Sequence, residues 1–479
     1  MKKPNILLFV TDQQRRDTIG AYGSPICKTP TIDRLAQEGM RFERAYTPTG
    51  LCSPARSSLM SGEYAHTHKT LNNISLHPIK ASLPKSSDKL TPALKAGGYQ
   101  CGYVGKWHVS DDETPKDFGF DDYYSLGDYN EWRKKKGIAF PDAFFNYVTQ
   151  SADRDPGTVE TSRPAWICDR AIDMIDKYTE ADDEPFFVRV DFHGPHYPNV
   201  VPEPFYSMYQ PASIPPWPNA DDALAGKPAV HRIKKRHYGT DSMTWEDWQP
   251  LVAAYFGEVS LIDSQAERVI ALLEEKGILD DTIIIWTTDH GDTIGSHGIC
   301  NKDYTMYEEI YRVPMIVRWP GVVEPGSVSN DYVMHFLDLN ATFRDLAGQP
   351  AVEGAPGKSL VSVFKGEAPE SWRKSAFCEF HGSHMGLYSM RMVSNDRYSY
   401  VYHTNDIDEL YDHQTDPHEL HNLAETPGAS EPVLKEMKEE MVRWMAETSD
   451  HLYNEWTVLW LTKDAELAMQ APGRRRVAW

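Results

Sequence analysis

Along this chain, unbroken apolar runs stop abruptly at polar or charged residues, and stretches of helical spacing separate one run from the next. Asn5–Val10 is such a run, ending at Thr11-Asp12. Apolar residues at successive positions predict a parallel strand buried on both faces, with a site at its carboxyl end. Thr31–Glu38 has helical spacing, and Gly39 is placed as its stop. Phe42–Tyr46 predicts a short strand leading to a turn at Cys52. Leu90–Ala96 predicts a helix ended by Gly97-Gly98, and Tyr99–Gly105 a strand that leaves Lys106 and His108 at its end. Ala165–Tyr178 is amphipathic, and the strand Pro185–Asp191 after it runs into His193. Leu251–Lys276 predicts a long helix, Asp281–Thr287 a buried strand ending at Asp289-His290, and Pro314–Trp319 one more strand. The alternation predicts an α/β fold, a three-layer sandwich with a mainly parallel central sheet.

Two segments depart from that rhythm. Pro198–Trp248 is rich in Pro, Trp and charge without a sustained period, which predicts a long excursion over the site. Within it, Trp217, Trp245 and Trp248 stack on a sugar ring or form the loop's own small core. The basic run His231, Arg232, Lys234, Lys235, Arg236 and His237 is expected to be a solvated charged face, with an acidic glycan as its alternative partner. After about Gly357 the pattern changes. Ser375–Phe380, Ser389–Val393 and Tyr398–Tyr402 predict short antiparallel strands, followed by Glu409–Asp412 and a helix over Pro432–Glu447. The expected division is a large α/β domain over 1–360 and a smaller C-terminal α+β subdomain with its tail over 361–479. The tail, Trp456–Trp479 with Arg474-Arg475-Arg476, is expected to dock on its own chain, a homo-oligomer contact being the other possibility.

The length of 479 residues suits one large domain plus a smaller one. A net charge of −21 excludes a general nucleic-acid binder, because phosphate backbones need Lys and Arg on the contact face. It does not exclude an anionic substrate, since a few cations converging in a pocket hold an anion whatever the global charge. No window reaches transmembrane length, so no membrane association is expected. Met1–Asn5 leads straight into the first strand without a signal-type apolar region, which predicts a cytoplasmic location. The six cysteines have no close pairs, a reduced pattern without a disulfide framework or Cys-type zinc site.

The candidate chemistry starts at Cys52-Ser53-Pro54-Ala55-Arg56. A helix N-terminus and a nearby guanidinium both lower a thiol's pKa, and Pro54 fits a first helical turn. A buried structural cysteine is the plain alternative. Three strand ends add Asp12-Gln13, Lys106 with His108, and Asp289-His290, where an open α/β sheet builds its sites. Taken singly, these are a helix cap, a core histidine and a capped turn. Taken together, Asp12, Gln13, Asp289 and His290 offer two carboxylates, an amide oxygen and an imidazole for one divalent cation. Lys106, Lys302 and Arg56 supply positive charge for the oxygens of a sulfuryl or phosphoryl group. His108, His193 and His196 offer acid–base function.

In this order, Thr11-Asp12-Gln13, the Cys52 turn, Gly105-Lys106-Trp107-His108, Pro195-His196-Tyr197-Pro198, Asp289-His290-Gly291-Asp292 and Lys302 resemble the motifs of the type I sulfatases. Glu409-Leu410-Tyr411-Asp412, with Asp416-Pro417, resembles the family's C-terminal motif. The resemblance spans nearly the whole chain and places it in the alkaline phosphatase-like superfamily.

The resemblance implies that Cys52 is converted to formylglycine by a formylglycine-generating or radical maturation enzyme. It implies that the aldehyde hydrate attacks sulfur and that Arg56 stabilises the hydrate. Asp12, Gln13, Asp289 and His290 would hold the metal beside residue 52. Lys106, His196 and Lys302 would hold the sulfate, with Lys302 or His196 near the leaving oxygen. His108 would take a proton from the second hydroxyl, and elimination would then release sulfate. Apart from the resemblance, His193 is expected to bind substrate or line the pocket wall, with a packing role as its alternative, and Glu308 and Glu309, near Lys302 in sequence, are expected to orient it. Calcium is the ion expected from the family. Gln13 and His290 depart from its commoner acidic and Asn pattern, which admits manganese, magnesium or zinc. The same pair resembles phosphonate monoester hydrolases. The expected reaction is hydrolysis of an aryl or carbohydrate sulfate ester, with phosphonate monoester or phosphate diester hydrolysis as the alternative.

Overall fold

A computed structural model describes residues 3–74, 82–141, 151–180, 184–425, 428 and 430–472. The central sheet has eight strands. Asn5–Asp12 lies in the middle, with Thr282–Thr288 on one side and Phe186–Pro195 on the other, all parallel. Gln100–Gly105 and then Asp122–Ser125 extend the sheet beyond Phe186–Pro195 in the same direction. On the far side the order is Met315–Arg318, Met40–Phe42 and Ser327–Ser329. Met315–Arg318 runs antiparallel to both of its neighbours, and Met40–Phe42 pairs in parallel with Ser327–Ser329. This is the three-layer, mainly parallel α/β arrangement that the apolar runs predict.

Alternate residues of the first strand build the two cores. Leu7 and Phe9 pack with residues of helices Pro30–Glu38, Arg163–Tyr178 and Trp245–Glu275. Ile6, Leu8 and Val10 pack on the other face with residues of Cys52–Ser61, Thr91–Ala96 and His335–Leu346. Buried on both faces, the sheet leaves only its strand ends free to meet solvent or ligand.

Several elements differ from expectation in instructive ways. Phe42–Tyr46 is not one strand. Met40–Phe42 belongs to the central sheet, whereas Ala45–Tyr46 pairs with Val333–Met334. The excursion is more regular than its composition suggests. Asn199–Val201 pairs in parallel with Ala152–Arg154, and Ala229–His237 is a helix. The long helix begins at Trp245 because Thr244 and Asp247 form a capping box. Trp217 sits edge-on to Trp245 and to Phe256, so these tryptophans form the excursion's own core. The basic run is not a uniformly solvated face. His231 and Lys234 are fully buried on the inner side of their helix, while Arg232, Arg236 and His237 are exposed.

Ala376–Ser383, Gly386–Ser394, Tyr398–His403 and Glu409–Asp412 form a separate antiparallel sheet of four strands. Met437, Met441 and Met445 of helix Glu431–Glu447 share its core. That core continues into Tyr46, Leu51, Ile310 and Tyr311, next to the strand ends of the large sheet. The tail forms helices Glu455–Thr462 and Ala465–Gln470. The Arg474–Arg476 run lies outside the described residues. Among those described, no helix is long and apolar enough to cross a membrane.

Candidate active site

Cys52 is the first residue of the helix Cys52–Ser61, entered from Leu51 in an extended conformation, with Pro54 in the first turn. Every residue of this helix is buried. Cys52 Sγ lies 3.2 Å from His290 Nε2, 3.7 Å from Asp12 Oδ1 and 3.7 Å from Lys106 Nζ. Burial and the Asp12 carboxylate push this thiol up. Lys106, Lys302 and His290 outweigh them and hold it well below its usual range.

One turn along the same helix, Arg56 is completely buried among carboxylates. Its Nη2 donates to Asp12 Oδ2 at 2.9 Å, its Nε to Asp289 Oδ2 at 3.0 Å, and its Nη1 to the Lys106 carbonyl at 3.0 Å and to Asp191 Oδ2. With its donors engaged this way, Arg56 positions the carboxylates that flank Cys52. Burial raises the Asp12 carboxyl, but Lys106, His196, Arg56 and Lys302 together keep it well below the usual carboxylate range. The Lys106 ammonium lies 2.7 Å from Asp12 Oδ2.

The other side chains arrive from strand ends that only particular backbones permit. Gly105 has φ +104°, and a Cβ there would stand 1.8 Å from the Asp191 carbonyl oxygen, so only glycine lets the chain turn out towards Lys106 and His108. Gly291 is similarly tight, since its Cβ would meet the Glu309 carbonyl oxygen at 1.9 Å. Gln13 takes a left-handed φ of 69°. Its backbone N–H donates to Asp289 Oδ1 at 3.1 Å, and its carbonyl accepts from the Tyr255 hydroxyl at 2.6 Å. Its side-chain amide donates to Asp292 Oδ2 and accepts from Lys302 Nζ. His290 Nδ1 faces the Gly291 carbonyl at 2.9 Å and Nε2 turns towards Cys52. Burial lowers this imidazole, but the Asp289 and Cys52 charges outweigh it and raise it.

A cavity of about 390 Å³ opens over this floor. Lys106, His108, His193, His196 and Lys302 line it. The His193 and His196 rings lie 5.3 Å apart, and His196 Nδ1 faces the Tyr197 carbonyl at 2.6 Å. Burial, reinforced by Lys302 and Lys106, pushes the His196 imidazole well below its usual range. Burial lowers His193 too, with Arg163 and Lys106 adding to it, and burial together with Lys106 lowers His108. All three rings are therefore neutral at neutral pH. His108 Nδ1 and His193 Nδ1 are buried without a hydrogen-bond partner.

The structure brings Asp12, Gln13, Cys52, Arg56, Lys106, His108, His193, His196, Asp289, His290 and Lys302 to this place, but not Glu308 and Glu309. Glu308 accepts from the Tyr46 hydroxyl at 2.8 Å and from Arg312 at 3.3 Å, while Glu309 accepts from Asn219 at 2.7 Å. Lys302 is oriented by Gln13 instead. Nearness in sequence misled here, because Glu308–Tyr311 is a separate helix.

Sequence reasoning also missed Arg189, Asp191 and Tyr103. Arg189 pairs with Asp191 at 2.7 Å, and the Tyr103 hydroxyl donates to Asp191 Oδ2 at 2.8 Å, behind Arg56. The signal was present as two charges inside the otherwise apolar strand Phe186–Phe192. Asn73, Asn301, Asp303, Ser383 and His384 add to the cavity lining and carry no motif.

The donor set fits a divalent cation. Ligand atoms of Asp12, Cys52, Asp289 and His290 lie within 4.8 Å of one another, all buried. Burial and the neighbouring Asp12 charge push the Asp289 carboxyl up to about 7, the expected strain of two carboxylates facing one another away from water. A dication between them would relieve it.

Fold and site together define a hydrolase of the alkaline phosphatase-like class. The family model described as Sulfatase matches residues 4–349, and the chain belongs to the sulfatase family. A second model, described as N-sulphoglucosamine sulphohydrolase, C-terminal, matches residues 295–447. The uncharacterized sulfatase YidJ of Escherichia coli K12 is 29% identical, over 97% of this chain and 92% of that protein. An N-acetylglucosamine-6-O-sulfatase of Bacteroides thetaiotaomicron is 26% identical, over 88% of this chain and 83% of that protein. The crystal structure of the phosphonate monoester hydrolase of Agrobacterium radiobacter superposes with a TM-score of 0.79 at 27% identity, covering 94% of this chain and 97% of that one. The protein is a sulfatase enzyme, as its motifs predict.

Proposed function

We propose that the protein hydrolyses sulfate esters of a small or sugar-like alcohol, with residue 52 acting as formylglycine and one divalent cation held by Asp12, Gln13, Asp289 and His290. The carrying observation is the convergence of Cys52 Sγ with donors of Asp12, Asp289 and His290 within 4.8 Å on the floor of a cavity lined by Lys106, His196 and Lys302. The hydrated aldehyde supplies an attacking hydroxyl and a second hydroxyl whose ionisation expels sulfate, and the cation supplies Lewis acidity. Arg56 keeps the two carboxylates at a fixed separation. Lys106, 3.7 Å from Cys52 Sγ, binds the non-bridging oxygens as charge develops on them.

With His196 Nδ1 against the Tyr197 carbonyl, its free Nε2 carries a lone pair. His196 therefore accepts hydrogen bonds from the substrate, and Lys302 is the group that donates a proton to the leaving alcohol. The neutral His108 imidazole accepts the proton from residue 52. His193 lines the cavity beside His196 and is available to bind substrate there. Conversion of Cys52 requires a maturation enzyme as partner.

A second reading is hydrolysis of phosphonate monoesters or phosphate diesters at the same site. It is favoured by the Gln13 and His290 pair in the metal set and by the likeness to the phosphonate monoester hydrolase fold. Comparing kcat/KM on an aryl sulfate, an aryl phosphonate monoester and a phosphate diester separates the two. Turnover of either phosphorus ester orders of magnitude faster than the sulfate would reverse the assignment.

A further inference from the structure

Among the described residues, four groups of metal-competent side chains bring their donor atoms within 4.8 Å of one another, and the active-site set is one of them. Two of the others are closed by their own hydrogen bonds. His66 Nδ1 faces Glu379 Oε2 at 2.8 Å and its Nε2 faces the Thr448 carbonyl at 3.0 Å, while Arg391 grips Asp450. His297 is held at both nitrogens, by Asp222 at 2.7 Å and by Asn219 at 2.9 Å.

The fourth group, His231, His403 and Glu409, is closed along one edge only, where His403 Nε2 meets Glu409 Oε1, and stays open at His231. All three are buried, and His231 Nε2 has no hydrogen-bond partner. The outer atoms of the group are all held by tyrosines. The Tyr307 hydroxyl lies 3.0 Å from His231 Nδ1, the Tyr388 hydroxyl lies 3.0 Å from His403 Nδ1, and the Tyr411 hydroxyl donates to Glu409 Oε2. The inner atoms, His231 Nε2, His403 Nε2 and Glu409 Oε1, turn towards one point. A partner on the far nitrogen is what fixes ring orientation and tautomer in metal-ligating histidines. Glu409 Oε1 is 2.8 Å from His403 Nε2 and 3.7 Å from His231 Nε2. These distances straddle the roughly 3.3 Å between two ligands of a tetrahedral ion with bonds of about 2.0–2.1 Å.

We propose that His231, His403 and Glu409 form a second, structural metal site, with both histidine Nε2 atoms and Glu409 Oε1 as ligands and a water molecule in the fourth position. Two imidazoles and one carboxylate suit zinc rather than calcium or magnesium. The site joins the helix Ala229–His237 of the excursion to the strands Tyr398–His403 and Glu409–Asp412. The same helix carries Lys234, whose ammonium donates to the Asn301 carbonyl at 3.2 Å, beside Lys302. The ion would therefore clip the outer wall of the active-site cavity to the C-terminal sheet.

Metal stoichiometry of the full chain tests this. Metal-stripped protein is titrated with cobalt(II), and zinc content is measured in parallel. The expected result is two equivalents in the native sequence and one in His231→Gln, with the absorption bands of four-coordinate cobalt present in the first and lost in the second. A native sequence that saturates at one equivalent, with that equivalent retained in His231→Gln, overturns the proposal, as does an unchanged cobalt spectrum in His231→Gln. Where His231→Gln does not fold, Asp289→Asn, altered only in the active site, is expected to retain one four-coordinate cobalt. Its binding none overturns the proposal equally.

Discussion

Arg56 Nη2 donates to Asp12 Oδ2 at 2.9 Å while the same guanidinium reaches Asp289 Oδ2 at 3.0 Å through Nε. One side chain thus sets the separation of two carboxylates that stand at the ends of neighbouring parallel strands. Lysine keeps the charge but loses the planar fork. Arg56→Lys is expected to weaken cation affinity by about 10- to 100-fold, as loss of an orienting partner does. Arg56→Ala is expected to be worse, since it strips the counter-charge from buried carboxylates at a cost of about 3–5 kcal/mol. Cation titration and calorimetric unfolding of both variants check the order.

Cys52 begins a helix whose first turn points at the cavity floor, 3.2 Å from His290 Nε2. Replacing it with Ala removes the group proposed to become the aldehyde. Cys52→Ala is expected to lower kcat by on the order of 10⁶-fold, the scale seen when a nucleophile is deleted. The native peptide containing residue 52 should lack one sulfur and two hydrogens and carry one extra oxygen when mass-measured after expression with a maturation enzyme. Activity surviving in Cys52→Ala would exclude residue 52 as nucleophile.

The strand ends were legible in sequence because each apolar run stops at the residue that does chemistry, as at Asp12, Lys106 and Asp289. Burial on both faces forces that pattern. The support behind them was harder to read. Arg189 and Asp191 share one face of a buried strand, so each needs a charged partner, but nothing local names Arg56 or Tyr103. The helix Ala229–His237 reads as a solvated basic segment. His231 and Lys234 nevertheless lie on its inner side, because their partners Glu409 and Asp303 come from distant parts of the chain. Cavity residues such as Asn73 and Ser383 come from loops and hairpin ends, where composition carries no period.

His68 makes stability depend on pH. Its Nδ1 accepts from the Thr70 N–H at 3.1 Å, and its Nε2 faces Ser58 Oγ at 3.2 Å on the Cys52 helix. Burial pushes this imidazole down to about 3. The folded state therefore refuses a proton that the unfolded chain takes up below about 6.5. Unfolded chains then bind more protons, so stability is present above that pH and is lost as pH falls towards 3. The slope from this residue is up to about 1.4 kcal/mol per pH unit. Denaturant unfolding at a series of acidic pH values should show a shallower loss for His68→Gln than for the native sequence.

Gly105 stands where the strand Gln100–Gly105 must release Lys106 towards Asp12. Its left-handed φ, and the 1.8 Å that would separate a Cβ from the Asp191 carbonyl oxygen, leave no room for a side chain. Gly105→Ala is expected to force the strands apart at the point where Asp191 braces Arg56. A loss of about 3 kcal/mol or more is expected, above the usual range for one substitution, together with a fall in kcat through displaced Lys106. An unchanged melting temperature would contradict the packing described.

Removing the cation should abolish turnover, and the choice of ion that restores it depends on Gln13. Its amide donates to Asp292 and accepts from Lys302, so the native site holds one less negative charge than an acidic residue would give. Gln13→Asp adds a carboxylate beside Asp12 and Asp289. Hard cations with many oxygen ligands gain most from such a change. Chelated protein of both sequences, reloaded separately with calcium, magnesium, manganese or zinc, is expected to differ in preference, with calcium restoring relatively more activity in Gln13→Asp. The new charge also faces Asp292, so some loss of stability should accompany the shift, read from the melting temperature without added metal. An identical order of restoring ions in both proteins would mean that Gln13 stands outside the coordination sphere and serves only to hold Lys302.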